Sequence, residues 1–171
     1  AMPASRADTA VFYSISNCQS GLAGISFGNS LIKQVVADLS QELPNLKTFV
    51  TLSPIPGLTR WLSEGGKTMP EDADARRQIT AQYLLHAKRD KGGPYDPVAR
   101  FHLGNGASVH AIHADADLSP NGQQQSGGVM VNYLYDLRQI SQNHERFAAS
   151  GEIAASSEVT ALASAAAKTT E

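Results

Sequence analysis

One segment in the first third of the chain constrains the fold more than any other: a strand, a glycine-rich loop, a helix and a second strand follow one another. Residues 11–16 mix aromatic and β-branched side chains and predict a largely buried strand. Apolar residues from Leu31 to Leu43 fall on one helical stripe that Pro44 ends, and residues 47–52 predict the second strand. Strands joined through a helix are usually parallel neighbours, so we expect a βαβ unit.

The remaining segments are less regular. Residues 71–87 predict a second helix, whereas residues 98–111 resemble a strand or hairpin broken by glycines. Residues 129–137 suit either a strand or the start of a helix, and the Ala- and Ser-rich segment after Phe147 predicts a peripheral C-terminal helix. We therefore expect an α/β (α+β) fold with a mixed sheet flanked by helices. We divide the chain into a flexible segment 1–9, a domain 10–147, and a C-terminal helix and tail 148–171.

Length and charge exclude several functional classes. The 171 residues suit one domain, and 14 Lys and Arg against 16 Asp and Glu argue against nucleic acid or a membrane as a partner. The sequence has no apolar run long enough to span a bilayer and no signal-peptide pattern, so we expect a cytoplasmic protein. A single cysteine, Cys18, excludes an internal disulfide.

The loop between the first strand and the helix contains Gly21, Gly24 and Gly28. Asn29 or Ser30 is the expected N-cap of that helix, and bare backbone N–H groups at a helix N-terminus bind phosphate. The loop matches neither the dinucleotide-binding nor the nucleoside triphosphate-binding pattern. The pattern favours a phosphorylated ligand and a ligand-free glycine turn equally.

Several polar residues lie in segments that suit a reactive site. Ser53 precedes Pro54 at the end of a predicted strand, where it either faces a cleft or opens a turn. His102 alternates with apolar neighbours and is either a structural residue or a proton donor. Tyr133 and Tyr135 are expected on one strand face, packed in the core with their hydroxyls at the rim.

One tract has the composition of a metal site. It contains His110, His113, Asp115 and Asp117. The spacing does not match a known zinc motif and no third ligand is evident, so we expect an exposed tract and no metal site.

Four segments, in matching order and spacing, are shared with one enzyme family. They are residues 11–17 (VFYSISN) with 21–24 (GLAG), residues 52–57 (LSPIPG), residues 99–107 (ARFHLGNGA) and residues 128–133 (GVMVNY). From about residue 10 to residue 137, the chain thereby resembles malonyl-CoA decarboxylases.

The resemblance implies part of an acyl-CoA N-acyltransferase-like fold, in which two splayed parallel strands admit the CoA pantetheine and the loop after the first strand binds pyrophosphate. It implies that Ser53 and His102 act on the malonyl group, that Tyr133 lies close by, and that no biotin, metal or nucleotide cofactor is needed. Two positions depart from the patterns of this fold and family: Gly21 replaces a Gln or Arg, and Ser26 replaces a glutamate. The residues expected to bind CoA or substrate are Asn17, Gly21, Gly24, Ser26, Phe27, Gly28, Lys33 and Asn132, with Arg60 as a second phosphate-binding cation beside Lys33.

These observations predict decarboxylation of malonyl-CoA to acetyl-CoA and CO2, with Ser53 orienting the malonyl group and His102 protonating the enolate. One alternative is a CoA-dependent acyltransferase of the same fold, and another is a non-catalytic fragment that binds CoA or a complementary chain. The resemblance begins at the central strand of the fold. We therefore expect a homo-oligomer or a complex with a complementary N-terminal chain.

Overall fold

The computed structural model describes residue 3, residues 6–13 and residues 27–168. Four strands form one mixed sheet: β1 (Thr9–Tyr13), β2 (Thr48–Leu52), β3 (Ser108–His113) and β4 (Met130–Leu134). Their order across the sheet is β1-β2-β4-β3. β1 and β2 are parallel, and β4 is antiparallel to both of its neighbours. The predicted α/β class and mixed sheet are confirmed.

The predicted βαβ unit is present. Helix α1 (Phe27–Glu42) connects β1 to β2, and its apolar stripe places Val36 in the core. The helix begins before the expected N-cap at Asn29 or Ser30, and it ends before Pro44 because proline has no N–H with which to continue the ladder. β1 and β2 pair along the whole of their described length, so the expected splay of the two parallel strands is not seen between Thr9–Tyr13 and Thr48–Leu52.

Two helices follow β2. The first, α2 (Leu58–Glu64), was not predicted from the sequence because it is short and follows a proline-rich turn. The second, α3 (Ala73–His86), confirms the helix predicted over residues 71–87. Asp72 begins α3, since its carboxylate accepts a hydrogen bond from Ala75 N at 2.8 Å.

The strand or hairpin predicted over residues 98–111 is wrong for its first part, which forms helix α4 (Pro97–Gly104). Asp96 caps this helix and proline occupies its first turn, an arrangement that favours a helical start. The buried residues Ala99, His102 and Leu103 have helical spacing, which outweighs the local polar-apolar alternation. Only the later part of the segment forms a strand, β3.

The remaining helices are α5 (Pro120–Ser126), α6 (Ile140–Ser150) and α7 (Ser157–Lys168). The C-terminal helix predicted after Phe147 is present as α7, but it is not peripheral, because it packs against α3 and β3 and buries Val159. The ambiguous segment at residues 129–137 forms β4. In the part of the chain that the structure describes, every helix is too short or too polar to cross a bilayer.

Candidate active site

Ser53 lies directly after β2 and is held by the sheet. Its backbone N donates to Val131 O on β4 at 2.9 Å, and Val131 N donates to Ser53 O at 3.1 Å. The side chain is buried, and its Oγ donates to Thr51 Oγ1 at 2.8 Å. Two backbone bonds and one side-chain bond therefore fix the position of this hydroxyl.

His102 faces Ser53 from helix α4. Its Nε2 lies 3.3 Å from Ser53 Oγ, although the two residues are far apart in the sequence. The imidazole is only 2% exposed. The structure thus brings together the two residues for which the sequence predicted catalytic roles.

Two tyrosines enclose the imidazole. The Tyr133 ring stacks on His102 with centroids 4.5 Å apart and planes at 21°, while the Tyr135 ring meets it edge-on. The predicted shared face is confirmed, but the expectation of hydroxyls at the rim is wrong because both side chains are buried against His102. Among the described residues, Tyr133 Oη has no hydrogen-bond partner.

Tyr135 contacts the histidine more directly than the sequence predicted. Its Oη lies 2.7 Å from His102 Nδ1, the ring nitrogen that does not face Ser53. The signal available in the sequence was the alternate spacing of Tyr135 with Tyr133. That spacing places both side chains on one face, but it does not show which hydroxyl reaches the imidazole.

These contacts assign the imidazole tautomer. Burial raises the pKa of Tyr135, so the phenol remains protonated at neutral pH. Burial lowers the pKa of His102 to about 4, so the imidazole is neutral and has one donor and one acceptor nitrogen. We assign Tyr135 as the donor to Nδ1, which leaves the imidazole proton on Nε2, directed toward Ser53.

Asn132, which was expected to bind substrate, has protein partners at both ends of its amide. Its Nδ2 donates to Thr51 O at 2.6 Å, and its Oδ1 is hydrogen-bonded to His113 Nε2. Thr51 Oγ1 also accepts from Tyr133 N at 3.1 Å. These bonds connect β2 to β4 beside Ser53, so Asn132 supports the site through the sheet.

The other residues expected to bind CoA are placed only in part. Lys33 is half-buried on α1. Arg60 is on α2, where its Nε donates to Tyr95 Oη at 3.1 Å. Phe27 and Gly28 form the first turn of α1. Outside the described residues lie Asn17, Gly21, Gly24 and Ser26.

Three side chains of the tract considered for metal binding have partners within the protein. His113 is bonded to Asn132, and Asp115 forms an ion pair with Arg76 at 2.9 Å. Asp117 accepts from Ser119 N at 3.0 Å. Within residues 6–13 and 27–168, no group of three or more His, Cys, Asp and Glu side chains is arranged to hold a metal ion.

Comparison with known proteins confirms the family resemblance. The profile of the malonyl-CoA decarboxylase C-terminal domain matches residues 1–76 and 71–171. The mitochondrial malonyl-CoA decarboxylase of the goose Anser anser anser is 32% identical over 206 residues, covering 94% of this chain and 41% of the relative. The chain therefore spans less than half the length of this curated relative.

Solved structures agree with this result. The crystal structure of malonyl-CoA decarboxylase from Rhodopseudomonas palustris is 48% identical with a TM-score of 0.85, covering 94% of this chain and 43% of that chain. The loading GNATL domain of CurA from Lyngbya majuscula is 16% identical with a TM-score of 0.54, covering 80% of this chain and 58% of that one, and shows a shared fold alone. Because the family profile covers the chain from end to end, this protein belongs to the malonyl-CoA decarboxylase family.

Proposed function

We propose that this chain decarboxylates malonyl-CoA to acetyl-CoA and CO2. The observation that carries the proposal is the buried line of polar groups from Ser53 Oγ through the His102 imidazole to Tyr135 Oη. The names of the curated relatives suggest the substrate. Because the chain spans only part of those relatives, its own activity requires a direct test.

The chemistry needs three operations. The malonyl carboxylate must be turned out of the thioester plane, the enolate left by departing CO2 must be stabilised, and its carbon must be protonated. We assign the first operation to Ser53, whose hydroxyl is fixed by the sheet. The same hydroxyl is the group that we propose to hydrogen-bond the malonyl carboxylate or the thioester oxygen, on which the negative charge develops.

Proton transfer is assigned to His102. The carbon–carbon bond breaks, its electron pair forms the enolate, and the enolate carbon takes the proton from Nε2. A neutral imidazole is a weak acid, but a thioester enolate carbon is a much stronger base. Tyr135 keeps its hydrogen bond to Nδ1, and the proton consumed at the carbon is restored to the His102–Tyr135 pair from solvent after product release.

We assign substrate binding to residues that the sequence predicted for this role. The Tyr133 hydroxyl is free of hydrogen bonds to the described residues, and we place it beside the malonyl group. We assign the CoA pyrophosphate to the glycine-rich loop and the start of α1, where the helix dipole favours negative charge. Lys33 and Arg60 are the candidate cations for the remaining phosphate charge.

The proposed reaction uses no cofactor, since the CoA thioester is the substrate. Turnover is therefore expected to be unchanged by a metal chelator and by omission of biotin and nucleotides. We also propose a cytoplasmic location, which cell fractionation tests. The curated goose and rat relatives are named as mitochondrial, so recovery of the chain in mitochondria would contradict this part of the proposal.

The central test is formation of acetyl-CoA and CO2 from malonyl-CoA by the purified chain. Ser53→Ala and His102→Asn are expected to abolish most turnover, whereas Ser63→Ala and His86→Asn serve as exposed serine and histidine controls. Undiminished turnover in His102→Asn would contradict the assignment. Acceptor-dependent CoA release without CO2 would instead support the acyltransferase, and CoA binding without either product would support the non-catalytic fragment.

Association with a second chain completes the proposal. β1 lies at the edge of the sheet and pairs only with β2 among the described strands. Val11 and Tyr13 on β1 are 40% and 66% exposed. An unpaired edge with exposed apolar side chains favours pairing with another chain, either a second copy or a complementary N-terminal chain. Size-exclusion chromatography with light scattering tests this, and a stable monomer would contradict it.

A further inference from the structure

Asp96 is a buried carboxylate that contacts neither Ser53 nor His102 directly, yet it joins the segments that carry them. It is only 2% exposed and accepts four hydrogen bonds. A buried carboxylate is costly unless its oxygens are fully bonded, so this arrangement implies a specific requirement for the group.

One oxygen of Asp96 begins the helix of the histidine. Oδ1 accepts from Val98 N at 2.9 Å and from Ala99 N at 3.0 Å, which caps α4. These bonds fix the first turn of α4, and His102 follows in the next turn of this short helix. The position of the Asp96 carboxylate therefore determines where α4 starts.

The other oxygen holds the segment of the serine. Oδ2 accepts from Gly57 N at 3.2 Å and from Tyr83 Oη at 3.1 Å. Gly57 ends the Ser53-Pro54-Ile55-Pro56-Gly57 segment, whose two prolines restrict its backbone. A displacement of Gly57 is thus transmitted toward Ser53 through a stiff connection.

The close packing at Gly57 supports a dedicated contact. A Cβ atom at this position would lie 2.3 Å from Tyr83 Oη and 3.4 Å from Asp96 Oδ2. The backbone of Gly57 is in the ordinary right-handed region, so conformation does not require glycine there. The absence of a side chain is what allows the Gly57 N–H to reach the buried carboxylate.

We propose that Asp96 is a positioning residue that sets the separation between Ser53 Oγ and His102 Nε2 by tying Gly57 to the start of α4. It does not touch substrate in this role. The expected effect on kcat rests on the proposed decarboxylation, whereas the expected effect on the His102 environment does not.

The variant Asp96→Asn distinguishes the capping of α4 from the hydrogen bond that ties Gly57 to Asp96. An asparagine oxygen still caps α4, because asparagine is as good an N-cap as aspartate. Its NH2 group cannot accept from Gly57 N, so two donors face each other and the connection is lost. Asp72→Asn is the matched control, since Asp72 caps α3 in the same way at an exposed position.

The first readout is the imidazole nitrogen NMR shifts of His102 in the full chain without substrate. Asp96→Asn is expected to shift the Nε2 signal, and Asp72→Asn is expected to leave it unchanged. If Asp96→Asn does not fold, Gly57→Ala, which disturbs the same contact from the other side, is expected to shift the same signal. An unshifted Nε2 signal in whichever of these variants folds would overturn the proposal.

The second readout is steady-state kinetics with malonyl-CoA. A displaced reacting pair lowers kcat by about 10-fold to 100-fold, while KM for malonyl-CoA changes less because Ser53 and His102 act on the malonyl group and not on the CoA phosphates. An equal loss in Asp72→Asn would overturn the proposal, since it would indicate a general effect of weaker helix capping. An inactive wild-type chain would contradict the proposed decarboxylation, and the NMR readout would still decide the role of Asp96.

Discussion

The Tyr135 hydroxyl lies 2.7 Å from His102 Nδ1, and the other nitrogen of the same imidazole lies 3.3 Å from Ser53 Oγ. The tyrosine thereby determines which nitrogen carries the proton. Without a donor at Nδ1, the two tautomers of a buried imidazole become closer in energy. The reactivity of His102 therefore depends on Tyr135, which contacts the imidazole at the nitrogen that does not face Ser53.

Tyr135→Phe is expected to lower kcat by about 10-fold to 100-fold, because it removes the donor to Nδ1 while keeping the ring. Steady-state assay of CO2 release measures the effect. Tyr95→Phe is the control for kcat, since Tyr95 bonds Glu64 and Arg60, a residue assigned to phosphate binding, so its loss is expected in KM and not in kcat. Full activity in Tyr135→Phe would show that the hydroxyl does not determine the protonation of His102.

Tyr133→Phe is expected to change stability and activity in opposite directions. Its buried Oη has no partner among the described residues, so removing it should stabilise the fold by about 1 kcal/mol. If this hydroxyl contacts the malonyl group as proposed, kcat/KM falls in the same variant. Urea unfolding and the decarboxylation assay measure the two effects. A less stable variant would indicate that the hydroxyl has a protein partner.

Acid is expected to destabilise the chain through His102. Its pKa is about 4 in the folded protein against an ordinary value of 6.5, so the unfolded chain binds a proton more readily between these values. The stability that His102 contributes is present above pH 6.5 and is lost as the pH falls toward about 4, the pKa of this histidine in the folded protein. From about pH 7 to about pH 5 the loss is about 2 kcal/mol.

Comparison with His102→Asn isolates this contribution. Urea unfolding at the two pH values should show the loss in the wild-type chain, whereas the change in His102→Asn should be smaller by about 2 kcal/mol. Equal pH dependence in both proteins would contradict the burial of a neutral imidazole.

Gly106→Ala is expected to destabilise the chain by about 3 kcal/mol, from positive φ and steric overlap together. Gly106 has φ +86°, and a Cβ there would lie 2.2 Å from Ile140 O at the start of α6. Gly66→Ala is the matched control: φ is +67° and the space is open, so about 1 kcal/mol is expected. Urea unfolding measures both, and equal losses would show that α6 yields to the new methyl group.

The βαβ unit was predictable because its pattern is long. The stripe from Leu31 to Leu43 has enough residues to establish a helical period, and Pro44 marks its end. Helix α4 was predicted wrongly because its eight residues span about two turns, too few to separate helical spacing from alternation. Asp96 before Pro97 is a helix-start signal that the prediction did not use.

The reactive residues of the candidate site were predictable from the sequence, but the contacts that hold them in place were not. Ser53 and His102 were identified from motifs, yet their contact depends on how α4 packs against the sheet, which no local pattern encodes. Which of Tyr133 and Tyr135 bonds the histidine depends on the orientation of the His102 imidazole. The role proposed for Asp96 depends on a contact with Gly57, which is distant in sequence.

The backbone bonds between Ser53 and Val131 attach the serine to β4, the strand that carries Tyr133 and leads into Tyr135. Bending of the sheet therefore displaces the serine hydroxyl and both aromatic rings together, as one body. The histidine belongs to α4 and does not follow that motion through the backbone. A change in the separation between Ser53 Oγ and His102 Nε2 therefore requires α4 to move relative to the sheet.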